Sequence, residues 1–436
     1  MRRASLAALT LAGAAGIHAA SAQDAGEEVR TLSATISQSV AADSNYNLDD
    51  ESPGTSYLAD TRLDIGFLRD TATQTLDFGL NTGLRALWEA EEPFEFTLAS
   101  PTGARLGFAQ EWANSTFDAR LRYRQRRTDF TEDIGDFITD EGALPDNLQN
   151  TRSDTRELRF DADIAFEYGT DAPSTYGLRY VGTAIDYSDN AASLTPRRSN
   201  TIEGTWELNF TPVFSSIVAG SYFYYDADNA QDTQLQVAEI DAGVVYQPDE
   251  NVRLRGGIGY ANRQKEETIG GTRQTTDDNS GATLRGDFFY RQEDYNFAGN
   301  GRLTTAAPQT RFSFAVTGNY QLARGTINGR IFNRYTVQDD GFTEVRVAGA
   351  SIGLVRDINT VSRFGLDFAV ANETNLDVDD APDTTNTQVT AVYSYDLTRV
   401  VTADLGYRFR SEIEDPSNAT SNRVFFRIGR TFSTGL

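Results

Sequence analysis

The sequence predicts an all-β protein, a transmembrane antiparallel up-and-down β-barrel of about 20 strands, within a range of about 16 to 22. Three observations support this fold class. Apolar and polar residues alternate in repeated segments of about ten residues, charges within those segments keep to the polar positions, and short connections alternate with longer acidic ones. Alternation alone would also suit a soluble β-sandwich or β-solenoid, which is the alternative fold.

The N-terminal residues have the features of a secretory signal peptide. A basic start at Arg2-Arg3 is followed by a short apolar stretch and by small residues that end at Ala22. The apolar stretch is too short to span a membrane, and an ordinary N-terminal helix is the alternative interpretation. We expect three parts: a signal peptide over 1–22, cleaved near Ala22, a short periplasmic segment over 23–28, and one transmembrane β-barrel over 29–436.

The predicted strands recur along the whole remaining chain. In an early one, Leu76, Phe78 and Leu80 alternate with polar residues and glycine, and the pattern returns with Leu106, Phe117, Trp206, Phe314, Phe368 and Tyr407. The arginines of these segments share the polar positions: Arg62, Arg85, Arg105, Arg120, Arg122, Arg124, Arg159, Arg179, Arg253, Arg255, Arg302, Arg330, Arg408 and Arg427. Lipid contact requires such a charge-free outer face, and the sheet must close because lipid leaves no partner for an unpaired backbone amide.

The connections between the predicted strands fall into two groups. The short group comprises 69–73, 113–116, 211–214, 291–294 and 322–325, and the longer, acidic group comprises 43–57, 127–155, 226–233, 262–280, 372–385 and 411–421. Aromatic residues cluster beside the short connections: Trp112, Phe117, Phe210, Tyr246, Tyr290, Tyr295, Tyr320 and Tyr395. This arrangement predicts short periplasmic turns, an interfacial aromatic girdle beside them, and longer acidic extracellular loops.

Composition excludes several classes of function. The chain has 39 Lys and Arg residues against 63 Asp and Glu, a net charge of −24, which argues against a nucleic-acid partner. It has no Cys, and its single His, His18, lies in the expected signal peptide. Nucleophilic systems that need imidazole or thiolate, and metal sites built on His or Cys, are therefore excluded from the mature chain. We expect no enzyme, no cofactor and no metal, with a carboxylate-only enzyme as the alternative.

The chain resembles Gram-negative outer-membrane β-barrels of porin-like organisation over residues 29–436. Such families end in a β-signal of alternating hydrophobic residues closed by an aromatic residue. Val424, Phe426, Ile428 and Phe432 match that signal, although Arg430 interrupts it and four residues follow Phe432. The stretch 45–55 resembles uncharacterised β-barrel porins of alphaproteobacterial type.

This resemblance implies a location in the cell outer membrane and assembly by the barrel assembly machinery. It also implies contact with outer-membrane lipid and lipopolysaccharide, and it allows a homo-oligomer. A barrel of this width leaves an aqueous lumen, and segment 23–28 is too short to be a plug domain. The expected function is therefore a channel for passive diffusion of small hydrophilic solutes. The alternatives are a conduit for polysaccharide export and a non-transporting structural or adhesin barrel.

The expected lumen is rich in arginine. Four arginines occupy alternate positions of one strand, Arg120, Arg122, Arg124 and Arg126, and the acidic loop 127–155 follows them with Asp133, Asp136, Asp140 and Glu141. We hypothesise that this loop folds inward and forms a constriction opposite the arginines. In the alternative, the arginines pair with carboxylates of neighbouring strands and stiffen the wall, and both arrangements can hold together.

Further lumen candidates share the polar positions of other strands: Arg85, Arg105, Glu111, Arg253, Arg255, Arg330, Arg408 and Arg410. Of the 39 basic residues, only Lys265 is a lysine. Arginine binds carboxylates in planar two-point pairs and stacks on aromatic rings, which would also suit sugars or anionic oligosaccharides as solutes. A general bias towards arginine would give the same composition.

Overall fold

The computed structural model describes residues 29–435 except 91–93, 100, 128–154, 171, 189–193, 339–342, 377–382 and 415. The expected signal peptide, segment 23–28 and most of loop 127–155 therefore lie outside the described residues. The described chain forms strands throughout: β1 Val29–Asp43, β2 Ser56–Asp70, β3 Gln74–Trp88, β4 Glu95–Leu98, β5 Thr102–Trp112, β6 Ser115–Arg127, β7 Arg156–Tyr168, β8 Ser174–Tyr187, β9 Arg197–Asn209, β10 Phe214–Ala227, β11 Thr233–Asp249, β12 Val252–Ile269, β13 Thr272–Arg291, β14 Tyr295–Thr304, β15 Arg311–Leu322, β16 Gly325–Val337, β17 Glu344–Asp357, β18 Ser362–Asn375, β19 Thr384–Thr398, β20 Val401–Glu414 and β21 Ser417–Gly435.

These strands form one closed barrel of 20 wall positions. Each strand pairs antiparallel with its neighbour in sequence, and β3 pairs with β4 near its end and with β5 along its first half, so β4 and β5 together occupy one position. The barrel closes where β1 pairs with β21, in a register that runs from Thr31 opposite Gly435 to Asp43 opposite Arg423. The predicted up-and-down barrel of about 20 strands is confirmed. Among the described residues, no helix is long and apolar enough to cross a membrane.

Alternation assigns each residue to one face of the wall. On β1 the side chains of Leu32, Ile36 and Val40 point outward, and Ile36 is 49% exposed, while Ser37 and Ser39 face the lumen. Directly opposed residues of paired strands have their side chains on the same face of the sheet. The pairing therefore extends this assignment of inner and outer faces around the whole wall. The strand arginines predicted on the polar face all lie on this inner face, whereas Arg430 of β21 lies on the outer face.

The two ends of the barrel differ. At one end, here called the turn end, β1 begins, β21 ends, and the connections are short, as in 71–73, 113–114, 250–251, 323–324 and 399–400. At the other end, here called the loop end, lie the connections 44–55, 128–155, 188–196 and 376–383. Outward aromatic residues mark the turn end, where the rings of Phe214 and Tyr246 lie 4.8 Å apart and those of Tyr290 and Tyr295 5.8 Å apart.

Two segments expected as long loops are hairpins instead. Within 262–280, β12 continues to Ile269 and β13 starts at Thr272, joined by Gly270 and Gly271 with φ of 62° and 80°. Likewise, 411–421 holds the ends of β20 and β21. The acidic composition suggested loops, but strand pairing needs only backbone hydrogen bonds and continues where both faces are polar. The glycine pair supplies the left-handed backbone that a two-residue turn requires.

Candidate functional site: the lumen and its inner segment

The lumen is filled towards the loop end and open towards the turn end. Along the inner face of β2, Asp60 is buried, Arg62 is partly exposed and Asp64 is exposed. The inner face of β7 follows the same order, from buried Glu157 to exposed Glu167. We call the solvent-accessible half near the turn end the vestibule.

The connection between β1 and β2 folds into the lumen. Leu48 in this connection is 0% exposed and belongs to a buried cluster with residues of three strands and of β21: Phe332, Val345, Val347, Ala369, Ala371 and Ala419. The first five lie on β16, β17 and β18, four to six wall positions from β1. Residues 44–50, here called the inner segment, therefore lie across one side of the lumen rather than outside it.

The start of the inner segment packs against its own side of the wall. Tyr46 is 1% exposed and clusters with Ala41, Leu58 and Leu87 on β1, β2 and β3. The inner segment thus bridges two regions of the barrel wall, with Tyr46 on one and Leu48 on the other.

Asn45 gives the inner segment its shape. Its side-chain amide donates to the carbonyl oxygen of Asp49 at 2.7 Å, and its side-chain oxygen accepts from the Asp49 amide at 3.0 Å. Leu48 adopts a left-handed backbone with φ of 54°. That conformation costs about 1–2 kcal/mol for a residue other than glycine, whereas burial of a leucine side chain contributes about 1.5–3 kcal/mol. Packing of Leu48 in the lumen therefore offsets the strain of its backbone.

Two buried arginines hold Tyr46 in place. Arg85 binds both carboxylate oxygens of Asp60 at 2.7 and 2.8 Å and donates to the Tyr46 hydroxyl at 3.2 Å. Arg410 donates to the backbone carbonyl of Tyr46 at 3.1 Å and to Asp43 at 3.3 Å. The site consequently combines apolar packing with charge-assisted hydrogen bonds, both shielded from solvent.

A second contact narrows the loop end from another side. Val337, at the end of β16, packs in a buried cluster with Ile185 and Tyr187 of β8 and with Tyr225 of β10. These strands lie at least six wall positions from β16. Opposed parts of the wall therefore meet inside the barrel near the loop end, while the vestibule stays accessible.

The four arginines predicted to line a constriction lie on the inner face of β6, in different surroundings. Arg126 pairs with Glu157 at 2.9 Å, Arg120 pairs with Asp118 of its own strand at 3.1 Å, and Arg124 is buried. Arg122 is exposed, and among the described residues it has no ion pair or hydrogen bond. The wall-pairing alternative therefore describes Arg126, whereas Arg120 is paired within its own strand.

The acidic residues predicted opposite these arginines cannot be placed. Asp133, Asp136, Asp140 and Glu141 lie outside the described residues, so a constriction by loop 127–155 stays a prediction. The segment that the structure places in the lumen is instead 44–50, so the prediction of an external acidic loop over 43–57 is wrong for these residues. The signal that could have identified it is the pair Tyr46 and Leu48, two large apolar residues within an otherwise polar connection.

The other lumen candidates lie on the inner face, and most are ion-paired. Arg105 lies 3.4 Å from Asp77, Arg253 lies 3.2 Å from Glu207, and Arg255 lies 2.8 Å from Asp241. Arg85 and Arg410 contact the inner segment as described above. The remaining candidates are placed by register, with Arg330 opposite Thr317 and Ser351, Arg408 opposite Thr390 and Arg423, and Glu111 exposed near the turn end opposite Thr116.

Further ion pairs, which the sequence did not predict, connect strands that are not adjacent in the wall. Arg285 of β13 lies 3.4 Å from Glu203 of β9, and Arg302 of β14 lies 2.5 Å from Glu239 of β11. Such pairs join strands that share no backbone hydrogen bonds, and they stiffen one side of the lumen wall.

The residues matching the β-signal lie on the last strand. Val424, Phe426, Ile428 and Phe432 point outward on β21, which closes the barrel against β1. The interrupting Arg430 also points outward and stacks on Phe432, with its guanidinium carbon 4.6 Å from the ring centroid. Recognition of this strand by an assembly machinery stays a prediction.

No family model matches the chain, and no curated protein matches it. Among solved structures, the chain is similar to the ferric-catecholate import receptor Fiu from E. coli K12, with a TM-score of 0.44, 10% identity, and coverage of 93% of this chain and 82% of the receptor. It is also similar to OccK5 (OpdH) from Pseudomonas aeruginosa, with a TM-score of 0.36, 8% identity and coverage of 94% and 98%. The FrpB iron transporter from Neisseria meningitidis gives a TM-score of 0.46, 8% identity and coverage of 94% and 83%. Identities this low transfer no residue role to this chain.

Proposed function

We propose that the protein is an outer-membrane channel for passive diffusion of small hydrophilic solutes, narrowed on its loop-end side by the inner segment. The observation that carries the proposal is the inner face itself. It has an accessible, charged vestibule that ends at a segment anchored by Leu48 on one side and Tyr46 on the other. A charged, water-accessible interior suits hydrophilic solutes, and an inward-folded connection limits their size.

The outer face supports the membrane part of the proposal. Large apolar side chains are exposed around the barrel, among them Ile258 at 71% and Leu405 at 57%, and aromatic pairs lie at the turn end. In water such a surface would aggregate, whereas in a bilayer it is the required lipid contact. On this proposal the loop end faces the exterior, the turn end faces the periplasm, and a signal peptide directs export with cleavage near Ala22.

The charge pattern of the vestibule favours a transport function over an enzymatic one. Exposed inner-face groups such as Arg179 and Asp163 pair with one another at 2.8 Å, and they line an aqueous surface. We therefore propose no enzymatic activity, and we propose outer-membrane lipid, lipopolysaccharide and the barrel assembly machinery as the partners of the outer face and of β21.

Reconstitution tests the proposal. We expect the mature chain, purified in detergent, to form channels in planar bilayers and to make liposomes swell in small sugars, with a sharp decline for longer oligosaccharides. Ready passage of long linear oligosaccharides would favour the export conduit instead. If liposomes containing the native chain, and those containing a Leu48→Ala variant, stayed as impermeable as empty liposomes, the barrel would be a non-transporting surface protein.

A further inference from the structure

Arg423 occupies a distinctive place at the inner end of the vestibule. It lies on the inner face of β21, in register with Asp43 on β1 and with Arg408 on β20. Because Asp43 is the last residue of β1, the inner segment starts directly beside it. Arg423 therefore lies next to the inner segment, at the level where the lumen changes from open to filled.

The nearby carboxylates are already engaged by other groups. Asp43 accepts hydrogen bonds from Arg410 and from the amide of Asn45, and its side chain is fully buried. Both oxygens of Asp60 are bound by Arg85. Among the described residues, no ion pair and no hydrogen bond is made by the guanidinium of Arg423, which is partly exposed to the lumen.

The electrostatic surroundings of Arg423 are mostly of its own sign. Arg408, Arg85 and Arg410 repel it, and Asp43 is the attractive partner in its surroundings. Like charges in a partly buried site repel one another more strongly than in bulk water, so they favour binding of a counter-charge. The inner segment excludes water on one side, which weakens solvent screening there.

We propose that Arg423, with Arg408 beside it, forms a binding site for a small oxyanion, a carboxylate or phosphate group, at the inner end of the vestibule. The guanidinium fork matches the two-point geometry of such groups, and the partly exposed position leaves the site reachable from the turn end. The inference deepens the proposed channel function and rests on it, because the site would select anionic solutes as they reach the inner segment.

The test compares Arg423→Gln with Arg179→Gln in the full mature barrel. Each variant removes one arginine from the inner face, but Arg179 is paired with Asp163, at 2.9 and 2.8 Å, and is exposed on β8. Arg423→Gln should fold, since it removes a charge surrounded by like charges, and the heat-dependent gel mobility of a closed barrel checks this. Arg423→Lys keeps the charge without the fork.

The first readout is thermal unfolding in detergent, titrated with phosphate or with succinate at constant ionic strength set by chloride. We expect phosphate, succinate or both to raise the unfolding temperature of the native chain and of Arg179→Gln, with a response that saturates as the anion concentration increases. We expect Arg423→Gln to weaken the apparent affinity by at least about tenfold, with Arg423→Lys in between. The relative response to phosphate and succinate identifies which group the site prefers.

The second readout is the reversal potential in a salt gradient, where Arg423→Gln should lose more anion preference than Arg179→Gln. No saturable stabilisation of the native chain, or equal stabilisation of Arg423→Gln, would overturn the site. Equal loss of anion preference in both variants would show that this preference depends on the overall charge of the lumen and not on a binding site at Arg423. Arg423-dependent stabilisation in a barrel that conducts nothing would uphold the site and refute the channel.

Discussion

The guanidinium of Arg85 lies 3.2 Å from the hydroxyl of Tyr46 through Nη1, while its Nε and Nη2 bind the two oxygens of Asp60. One side chain of β3 thus joins the barrel wall to the inner segment and is itself fixed by a neighbouring strand. Arg85 is 3% exposed, so neither interaction is screened by bulk water. The inner segment is consequently held by the wall rather than by its own short turn alone.

Shortening the Leu48 side chain should loosen the inner segment. Leu48→Ala removes a fully buried side chain from the cluster on β16–β18 and should cost about 2–5 kcal/mol of packing free energy. We expect a larger or more frequently fluctuating single-channel conductance than in the native chain. Leu405→Ala, an outward lipid-facing change, is the matched control and should leave conductance unchanged. Equal conductance in native and Leu48→Ala channels would show that the inner segment does not limit the passage.

Breaking the buried pair beneath Tyr46 should destabilise the barrel much more than breaking an exposed pair. Asp60→Asn leaves the buried Arg85 charge without its carboxylate, at a cost of about 3–5 kcal/mol. Asp163→Asn breaks the exposed pair with Arg179, which contributes about 1 kcal/mol or less. Denaturant unfolding followed by tryptophan fluorescence measures the difference. Equal destabilisation by the two changes would contradict the assignment of Asp60 to the filled half of the lumen.

Thiol labelling should report the depth of the inner segment directly, because the native chain has no Cys. A single Leu48→Cys variant should react with a membrane-impermeant thiol reagent at least about 100-fold more slowly than Glu51→Cys, since Leu48 is fully buried and Glu51 is exposed. On the proposed orientation, Glu51→Cys should also react in intact cells. Rapid labelling of Leu48→Cys would place the segment outside the lumen.

The glycine pair of the β12–β13 hairpin should be sensitive to substitution for conformational reasons alone. A Cβ at Gly270 or Gly271 would meet no atom within 4 Å, but their φ of 62° and 80° is unfavourable for alanine by about 1–2 kcal/mol per residue. We expect Gly271→Ala to speed hydrogen exchange near residues 266–275. Gly204→Ala, also in open space but without positive φ, is the control and should leave that exchange unchanged.

The alternation of apolar and polar residues predicted which face of the wall each residue occupies. Successive side chains of a strand point to opposite faces, and contact with lipid makes the outer face apolar. The inward position of Arg120 and Arg126 follows from that rule alone. Their partners do not, since the pairing of Arg126 with Glu157 depends on the register of β6 against β7 across a long connection.

The path of the inner segment could not be derived from local sequence. Leu48 is buried only because Phe332 and Val347, nearly three hundred residues later, lie where the connection can reach them. A polar connection with two apolar residues is equally compatible with an external loop until the barrel is closed. The hairpin at Gly270-Gly271 was not predicted because backbone hydrogen bonding between β12 and β13 continues there after the alternation of apolar residues has stopped.

The seam between β1 and β21 has a consequence for assembly. Before that seam forms, Asp43 and Arg410 belong to opposite edges of an open sheet, because β1 is the first strand and β20 the last but one. The hydrogen bonds from Arg410 to Asp43 and to Tyr46 become available only when the edges join. Fixation of Tyr46 is therefore completed late in maturation, and an unsealed intermediate would hold it only by the hydrogen bond from Arg85 and by the apolar contacts of β1–β3.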